Sequence, residues 1–412
     1  MNDDKLTYNY KLFNNGIRII HKQVASSITH AGVVVNTGTR DENENEAGIA
    51  HFIEHVIFKG THKRNTYQVL SYLENVGGDL NAYTTKEETF FYASALNEYF
   101  PRCMELLADI LFRSTFHTKD IETEKEVVKE EIKLYKDTPS ELIFDEFENL
   151  IFQNHSLGTN ILGTLKDIKK INQKKIFHFM ERTYNTDQML IAVVGNIPFE
   201  QCVKTIEKYF ASVAVNQRTF QRIAFSQFEP RHKKIKMHTN QAHAIVGRAL
   251  PNYNEHKNHT ATLLNNILGG QGLNSRLNLA IREKTGYVYH IESTYSALSD
   301  VGLFTVYIGA DHKNIERCFE LAGKEMKKLR EHKLGTLQLH RSQLQLIGQT
   351  CIAYESNLSE MLSIAKNHLL FDLVEDIPTI VHNIRAITET ELLELANEML
   401  TEDRMSSLII SK

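Results

Sequence analysis

The order of segments in the first half of this chain recurs in its second half, which constrains it to fold as two related units. In the first half, runs rich in β-branched side chains at 16–21 and 30–37 read as strands. They precede a helical segment at 47–59, with Gly60 placed as its terminator. A second helix at 67–76 is capped by Asn65 or Thr66 and stopped by Gly77 and Gly78. Strands at 79–84 and 89–96 follow, joined by the polar turn 85–88. Pro101 suits the first turn of a helix ending near Phe116, and Thr118 caps another that stops before Pro139. The run 189–194 reads as a buried strand.

The second half opens with a strand at 242–246 and an apolar helix at 260–268 that ends in Gly269 and Gly270. Strands at 288–295 and 302–310, two helices and a closing strand at 407–410 complete it. A local echo supports duplication: Arg102, Cys103, Met104, Glu105 and Leu106 match Arg317, Cys318, Phe319, Glu320 and Leu321, both just after the second strand of their half. The predicted organisation is an N-terminal domain at 1–212, a polar linker at 213–231 containing Pro230, and a C-terminal domain at 232–412. Each is expected to pack helices on a largely antiparallel sheet, an α+β class.

Composition removes several functions. At 412 residues, 42% hydrophobic and 24% charged, the chain can bury two cores. A net charge of −4, without basic runs interleaved with aromatics, gives no footprint for nucleic acid or anionic membrane. Cys103, Cys202, Cys318 and Cys351 form no CxxC pair, so neither a disulfide framework nor a thiolate metal site is expected. No apolar stretch approaches the roughly 20 residues needed to span a bilayer. The acidic start, Met1 to Lys5, lacks a following apolar run, so no cleaved secretory signal and a cytoplasmic location are expected.

Chemistry concentrates on the first long helix. His51 and His55 are four apart and share one face, where two imidazoles can grip one metal ion. Glu54 points to the same side, where a carboxylate can take a proton from attacking water. Ile49, Phe52, Ile53, Val56 and Ile57 supply the apolar faces. With 19 histidines in the chain, an HxxEH arises by accident in roughly one such sequence in twenty, so a further ligand is needed. On the helix after Thr118, Ile121, Val128, Ile132 and Tyr135 form an apolar arc, with Glu124 and Glu131 within it or at its edge. Glu122, Glu126 and Glu130 fall opposite, as a solvated charge run should. Carboxylates turned to the core are heavily penalised unless something such as a metal ion and its surroundings compensates them.

His51, Glu54 and His55, followed by Phe58, Lys59, Gly60 and Thr61, resemble the inverted zinc motif of the pitrilysin/insulinase peptidases, the inverzincins. Within them the chain is most like the mitochondrial-processing-peptidase-like subgroup of two-domain bacterial peptidases. The resemblance implies a third ligand about 76 residues beyond the second histidine, and 131 − 55 = 76 lands on Glu131. It also implies a helper carboxylate seven residues earlier, at Glu124. Gly77 to Thr84 resembles the family's substrate-binding edge strand, with Asn81, Ala82 and Tyr83 as the contacting residues. Asn274 to Leu277 and Ile281 to Tyr289 resemble its C-domain signature, which implies that Arg282 and Tyr289, with Tyr287 as a competitor, steady substrate.

The resemblance thus implies one Zn²⁺ per chain on His51, His55 and Glu131, with Glu54 as base and Glu124 assisting. The second half has the scaffold without the metal: Leu263–Leu268 fills the matching helix, and 336–351 contains no glutamate. Family members enclose substrate between four such domains, so a homodimer is expected, or a pairing with a metal-free homologous chain. The implied function is a zinc-dependent endopeptidase hydrolysing unfolded peptides or oligopeptides inside a closed chamber. A specific presequence-processing peptidase, a non-catalytic peptide-binding or scaffold subunit, and a structural metal site are the rival readings.

Overall fold

The computed structural model describes residues 8–226 and 228–412, so the reading of the acidic start at 1–5 lies outside the described residues. In chain order the first half forms β1 (Asn9–Leu12), β2 (Arg18–Gln23), β3 (Ile28–Val35), α1 (Ile49–Val56), α2 (Thr66–Glu74), β4 (Asp79–Thr84), β5 (Thr89–Leu96), α3 (Phe100–Arg113), α4 (Thr118–Lys136), α5 (Pro139–Ile151), α6 (Leu165–Ile168), α7 (Gln173–Thr183), β6 (Met189–Gly195) and α8 (Phe199–Phe210). The second half forms β7 (His232–Lys236), β8 (Ala242–Pro251), α9 (Glu255–Gly269), β9 (Val288–Ala297), β10 (Val301–Ala310), α10 (Ile315–Glu331), α11 (Thr336–Tyr354), α12 (Asn357–Phe371), α13 (Ile377–Ala386), α14 (Glu389–Met399) and β11 (Ser406–Ser411).

Two sheets organise these elements, with strand orders β1-β2-β6-β3-β5-β4 and β7-β11-β8-β10-β9. In each, one neighbouring pair is parallel (β2 with β6, β7 with β11) and the other pairs are antiparallel. From β2 and β7 onward the two orders correspond strand for strand. The α+β architecture and the duplicated order are therefore features of the fold. β7, absent from the sequence reading, is a short lysine-rich strand at a sheet edge, where charge is tolerated and discourages further pairing.

The chain separates into two compact units that are interleaved along the sequence. One holds residues up to Ile132 with Thr159–Arg222 and Ile352–Asp376; the other holds Lys133–Gly158, Ile223–Cys351 and Ile377–Lys412. Two contiguous domains, 1–212 and 232–412, do not anticipate this exchange. Its physical basis is apolar burial. In the first unit Ile20, Val34, Phe90, Leu190, Ala192 and Val194 pack against Met361, Ile364, Ala365 and Leu369 of α12. In the second, Ile245, Val301, Leu303, Leu408 and Ile410 pack against Ile143, Phe147 and Ile151 of α5. Both helical stripes recur every three to four residues, and each large side chain so buried contributes about 1.5–3 kcal/mol. The helices after β10 accordingly exceed the two expected, with α12, α13 and α14 following α10 and α11. Cys103, Cys202 and Cys318 are buried free thiols and Cys351 is half-buried.

Candidate metal centre

Helix α1 is fixed at both ends by devices outside its own turns. Gly48, at its N-cap, has φ +82°, and a Cβ there would sit 2.6 Å from the Leu162 carbonyl oxygen. Glu42 takes over the capping: its carboxylate accepts from the Gly48 and Ala50 amides, each at 2.9 Å. At the other end α1 tightens into a 3₁₀ turn, Ile57–Lys59, and Gly60 stops it at φ +145°. Ile49, Phe52, Ile53 and Val56 are buried, which anchors the helix and leaves its polar face to the site. The loop before it also holds the β4–β5 turn: the Thr39 and Arg40 amides donate to the Thr85 and Lys86 carbonyls, and Arg40 Nη1 lies 2.6 Å from Glu87 Oε1.

On that polar face the rings of His51 and His55 stand 4.6 Å apart, centroid to centroid. Helix α4 brings Glu131 to them. Its Oε1 lies 3.8 Å from His51 Nε2 and its Oε2 lies 3.4 Å from His55 Nε2. One ligand atom from each of the three falls within 4.8 Å of the others. Glu124, one α4 heptad earlier, approaches the opposite nitrogen of His55, with Oε2 3.4 Å from Nδ1. Its other oxygen lies 2.5 Å from Lys59 Nζ. Glu122, Glu126 and Glu130 are exposed, whereas Glu124 is buried and Glu131 half-buried, as the helical phase requires.

Charge is unevenly distributed between the rings. Burial, with His55 nearby, pushes His51 well below its usual range, against the pull of Glu131. Burial alone would lower His55 too, yet Glu124 and Glu131 raise it to about 9. His55 holds Glu131 low, against the effect of burial. Burial would raise Glu124, but His55 and Lys59 bring it below the ordinary carboxylate value. Glu54 moves the other way: burial raises its carboxyl, against the neighbouring Thr84 of β4 and His55. Two carboxyls only a few residues apart in space are thereby pushed in opposite directions, a pattern typical of acid–base sites.

The donor set of two imidazoles and one carboxylate is the nitrogen–oxygen combination zinc takes in catalytic sites. Ligand bonds of about 2.0–2.1 Å in tetrahedral geometry place donor atoms about 3.4 Å apart. The 3.4 and 3.8 Å spacings suit that. Glu131 Oε2 is buried without a hydrogen bond, as an oxygen reserved for a cation would be. The residues therefore fit the metal.

Beside this cluster lies a cavity of about 350 Å³ lined by Glu54, His55, Phe58, Lys59, Thr66, Leu70, Leu80, Asn81, Ala82 and Glu124. Strand β4 is the edge of its sheet, bonded to β5 on one side only, so Asn81 and Ala82 combine a cavity wall with an open strand edge. Tyr83 differs: its ring stacks on Phe90 at 5.6 Å and joins the core beneath α12. Arg282 and Tyr289 lie in the other compact unit and are exposed. Arg282 sits in a π-helical turn, Asn278–Glu283, and Tyr289 has its hydroxyl 3.3 Å from Asp311 Oδ1. Tyr287 is also exposed.

Lys59 and Glu42 went unassigned in the sequence. Lys59 stands inside the motif, but its partner is 65 residues away (124 − 59). Glu42 lies six residues before the N-cap, outside the positions where capping rules look.

Comparison with known proteins is consistent along the chain. Residues 18–165 match the family model described as insulinase (peptidase family M16), and 170–346 match the one described as the peptidase M16 inactive domain. A Bacillus subtilis (strain 168) protein called uncharacterized zinc protease YmxG is 32% identical over 396 residues, covering 96% of each chain. A Rickettsia bellii protein called an uncharacterized zinc protease is 30% identical over 410 residues, 98% of each. Among solved structures, a protease from Helicobacter pylori matches with TM-score 0.90 at 17% identity, over 98% of this chain and 99% of that one. The peptidase M16 inactive domain from Pseudomonas fluorescens matches with TM-score 0.91 at 15% identity, over 98% of each. At such identities the structures speak for the fold alone.

Proposed function

The chain belongs to the insulinase family of zinc proteases, peptidase family M16, and from that premise we propose that it is a zinc-dependent endopeptidase acting on unfolded peptides. The observation that carries this reading is the approach of Glu131, from a distant helix, to within 3.4 and 3.8 Å of the two α1 imidazoles, with Glu54 beside them at a cavity wall. In this reading His51, His55 and Glu131 hold one zinc ion per chain. When bound, zinc supplies a Lewis acid that polarises the scissile carbonyl and acidifies water. Glu54 takes the proton of the attacking water and passes it to the leaving amine, a role suited by a carboxyl that burial raises above its ordinary value. Glu124 orients the His55 ring through Nδ1.

Substrate binds as an extended strand along the open side of β4, where backbone groups give affinity with little sequence selectivity. Asn81 and Ala82 line its path, and the cavity beside them, with Phe58, Leu70 and Leu80, admits an apolar side chain next to the cleaved bond. Tyr83 supports the strand from its core-facing side. Arg282, with Tyr289 or Tyr287, steadies the substrate, as family resemblance implies. Two identical chains enclosing a chamber, and residence in the cytoplasm, belong to the same proposal. Among the described residues no helix is long and apolar enough to cross a membrane.

The test is zinc content together with cleavage of a quenched fluorescent peptide, before and after chelation. Glu54→Gln is expected to retain zinc and lose turnover by about 10²–10⁴-fold. Normal turnover in that variant removes Glu54 from the role; full activity after complete removal of metal removes the zinc mechanism. A cleavage profile over a peptide library separates a general oligopeptidase from a presequence-processing enzyme. A chain that binds peptides without cutting them is the non-catalytic subunit.

A further inference from the structure

The 3₁₀ turn after helix α1 ends on a lysine that the zinc chemistry proposed above leaves without a task. The 3₁₀ turn Ile57–Lys59 and the stop at Gly60 fix its backbone, and Thr66 Oγ1 donates to the Lys59 carbonyl at 2.5 Å. Its ammonium then lies 2.5 Å from Glu124 Oε1. The Glu124 side chain is only 5% exposed, and its remaining oxygen lies 3.4 Å from His55 Nδ1. The contacts therefore form a line: Lys59 ammonium, Glu124 carboxylate, His55 ring, Glu131 carboxylate.

A carboxylate with so little access to water needs partners for both oxygens, and its position is set by where they stand. If the ring were its only partner, Glu124 could follow the ring or swing away from it. Lys59 supplies a fixed second point, on the 3₁₀ turn that continues the helix carrying the ring being oriented. With Glu124 held at both oxygens, its second oxygen meets His55 Nδ1, where it accepts that nitrogen's proton and leaves Nε2 as the donor atom facing Glu131 and His51. Groups behind a metal ligand that fix its tautomer and direction typically change metal affinity about 10–100-fold.

Resting on the zinc reading, we propose that Lys59 is a positioning residue for the metal centre, orienting His55 through Glu124 and thereby setting the affinity for zinc. Its ion pair is then not an ordinary exposed surface contact, which contributes little. The effect requires Glu124, and it requires a cation at position 59 rather than an amine as such.

The test uses the full chain and a chromogenic chelator competing for zinc, with thermal unfolding of the metal-free protein as a control for folding. Lys59→Met is expected to weaken zinc about tenfold, and Lys59→Arg to restore it to within about twofold of the parent. In a Glu124→Gln background, Lys59→Met is expected to cause no further loss, because the path it acts through is already cut. An unchanged zinc affinity in Lys59→Met overturns the inference and leaves the peptidase reading standing. So does a loss in Lys59→Met of the same size with and without Glu124. A parent chain that takes up no zinc overturns both.

Discussion

The two halves build the same sheet and diverge at two helices. Both orders run through a parallel pair into three antiparallel neighbours, β2-β6-β3-β5-β4 in one and β7-β11-β8-β10-β9 in the other. Helix α4 and its counterpart α11 each have 19 residues. Yet α4 turns Glu124 and Glu131 towards α1, while α11 contains no acidic residue. Setting Gly60 on Gly269 at the helix ends places Leu263 and Leu264, both buried, where Glu54 and His55 stand in the first half. The scaffold thus accepts either ionisable groups or packed leucines at that position. In one half ionisable groups are held in place by one another; in the other, leucines fill the space with nothing to compensate.

The sharpest way to press this comparison is to give the first half the character of the second. His51→Leu combined with His55→Leu is expected to abolish zinc uptake and lower peptide turnover by more than about 10⁴-fold. With Glu131→Leu added, so that this carboxylate is not left facing leucines without a partner, the metal-free protein should fold with unchanged or slightly greater stability, by about 1–2 kcal/mol in denaturant unfolding. A large loss of stability would mean that the rings hold α1 in place, and the two halves would no longer be equivalent as scaffolds. Next in size is the equivalence of the exchanged helices. Ile364→Ala in α12 and Phe147→Ala in α5 should each remove about 2–5 kcal/mol of unfolding free energy. A near-neutral result for either would show that its sheet does not depend on the helix it receives.

The smallest effect concerns protons, and only the half with the paired imidazoles should show it. His55 is raised to about 9, so at neutral pH it must release a proton for zinc to bind, whereas His51, pushed low, releases none. Zinc affinity should therefore rise about tenfold per pH unit up to about 9 and then level off. The metal-free protein moves the other way. The folded-state value of His55 lies above its ordinary 6.5, so its contribution is complete below that pH and lost as pH rises through about 9. A zinc affinity that is flat between pH 6 and 8, measured by chelator competition, would show His55 already neutral.

Much of this was legible because local rules sufficed. Strands β4 and β5 fall on the residues their alternation and flanking turns indicate, and Gly60 ends its helix as its position suggests. The phase of α4 separated Glu124 and Glu131 from their three exposed neighbours without any knowledge of what they face. The exchange of α5 and α12 was not legible. An apolar stripe states that a helix buries one face, but not against which sheet. The orientation of Tyr83 was lost for a similar reason, since alternation assigns it a face but not the core beneath that face. Lys59 could not be assigned a role because the carboxylate that meets it comes from another helix.

The reciprocal placement of α5 and α12 bears on why the second half persists without a counterpart of His51, His55 and Glu131. Neither sequence half carries all the material needed to cover its own sheet: Ile20, Val34, Phe90 and Leu190 await residues that follow them by more than 160 positions (361 − 190 = 171 for the nearest pair). Loss of the second half would strip the first of its lid of hydrocarbon and leave a sticky, aggregation-prone face. Through α12 the second half takes part in folding the first, and a gene split at the linker would have to supply both products together.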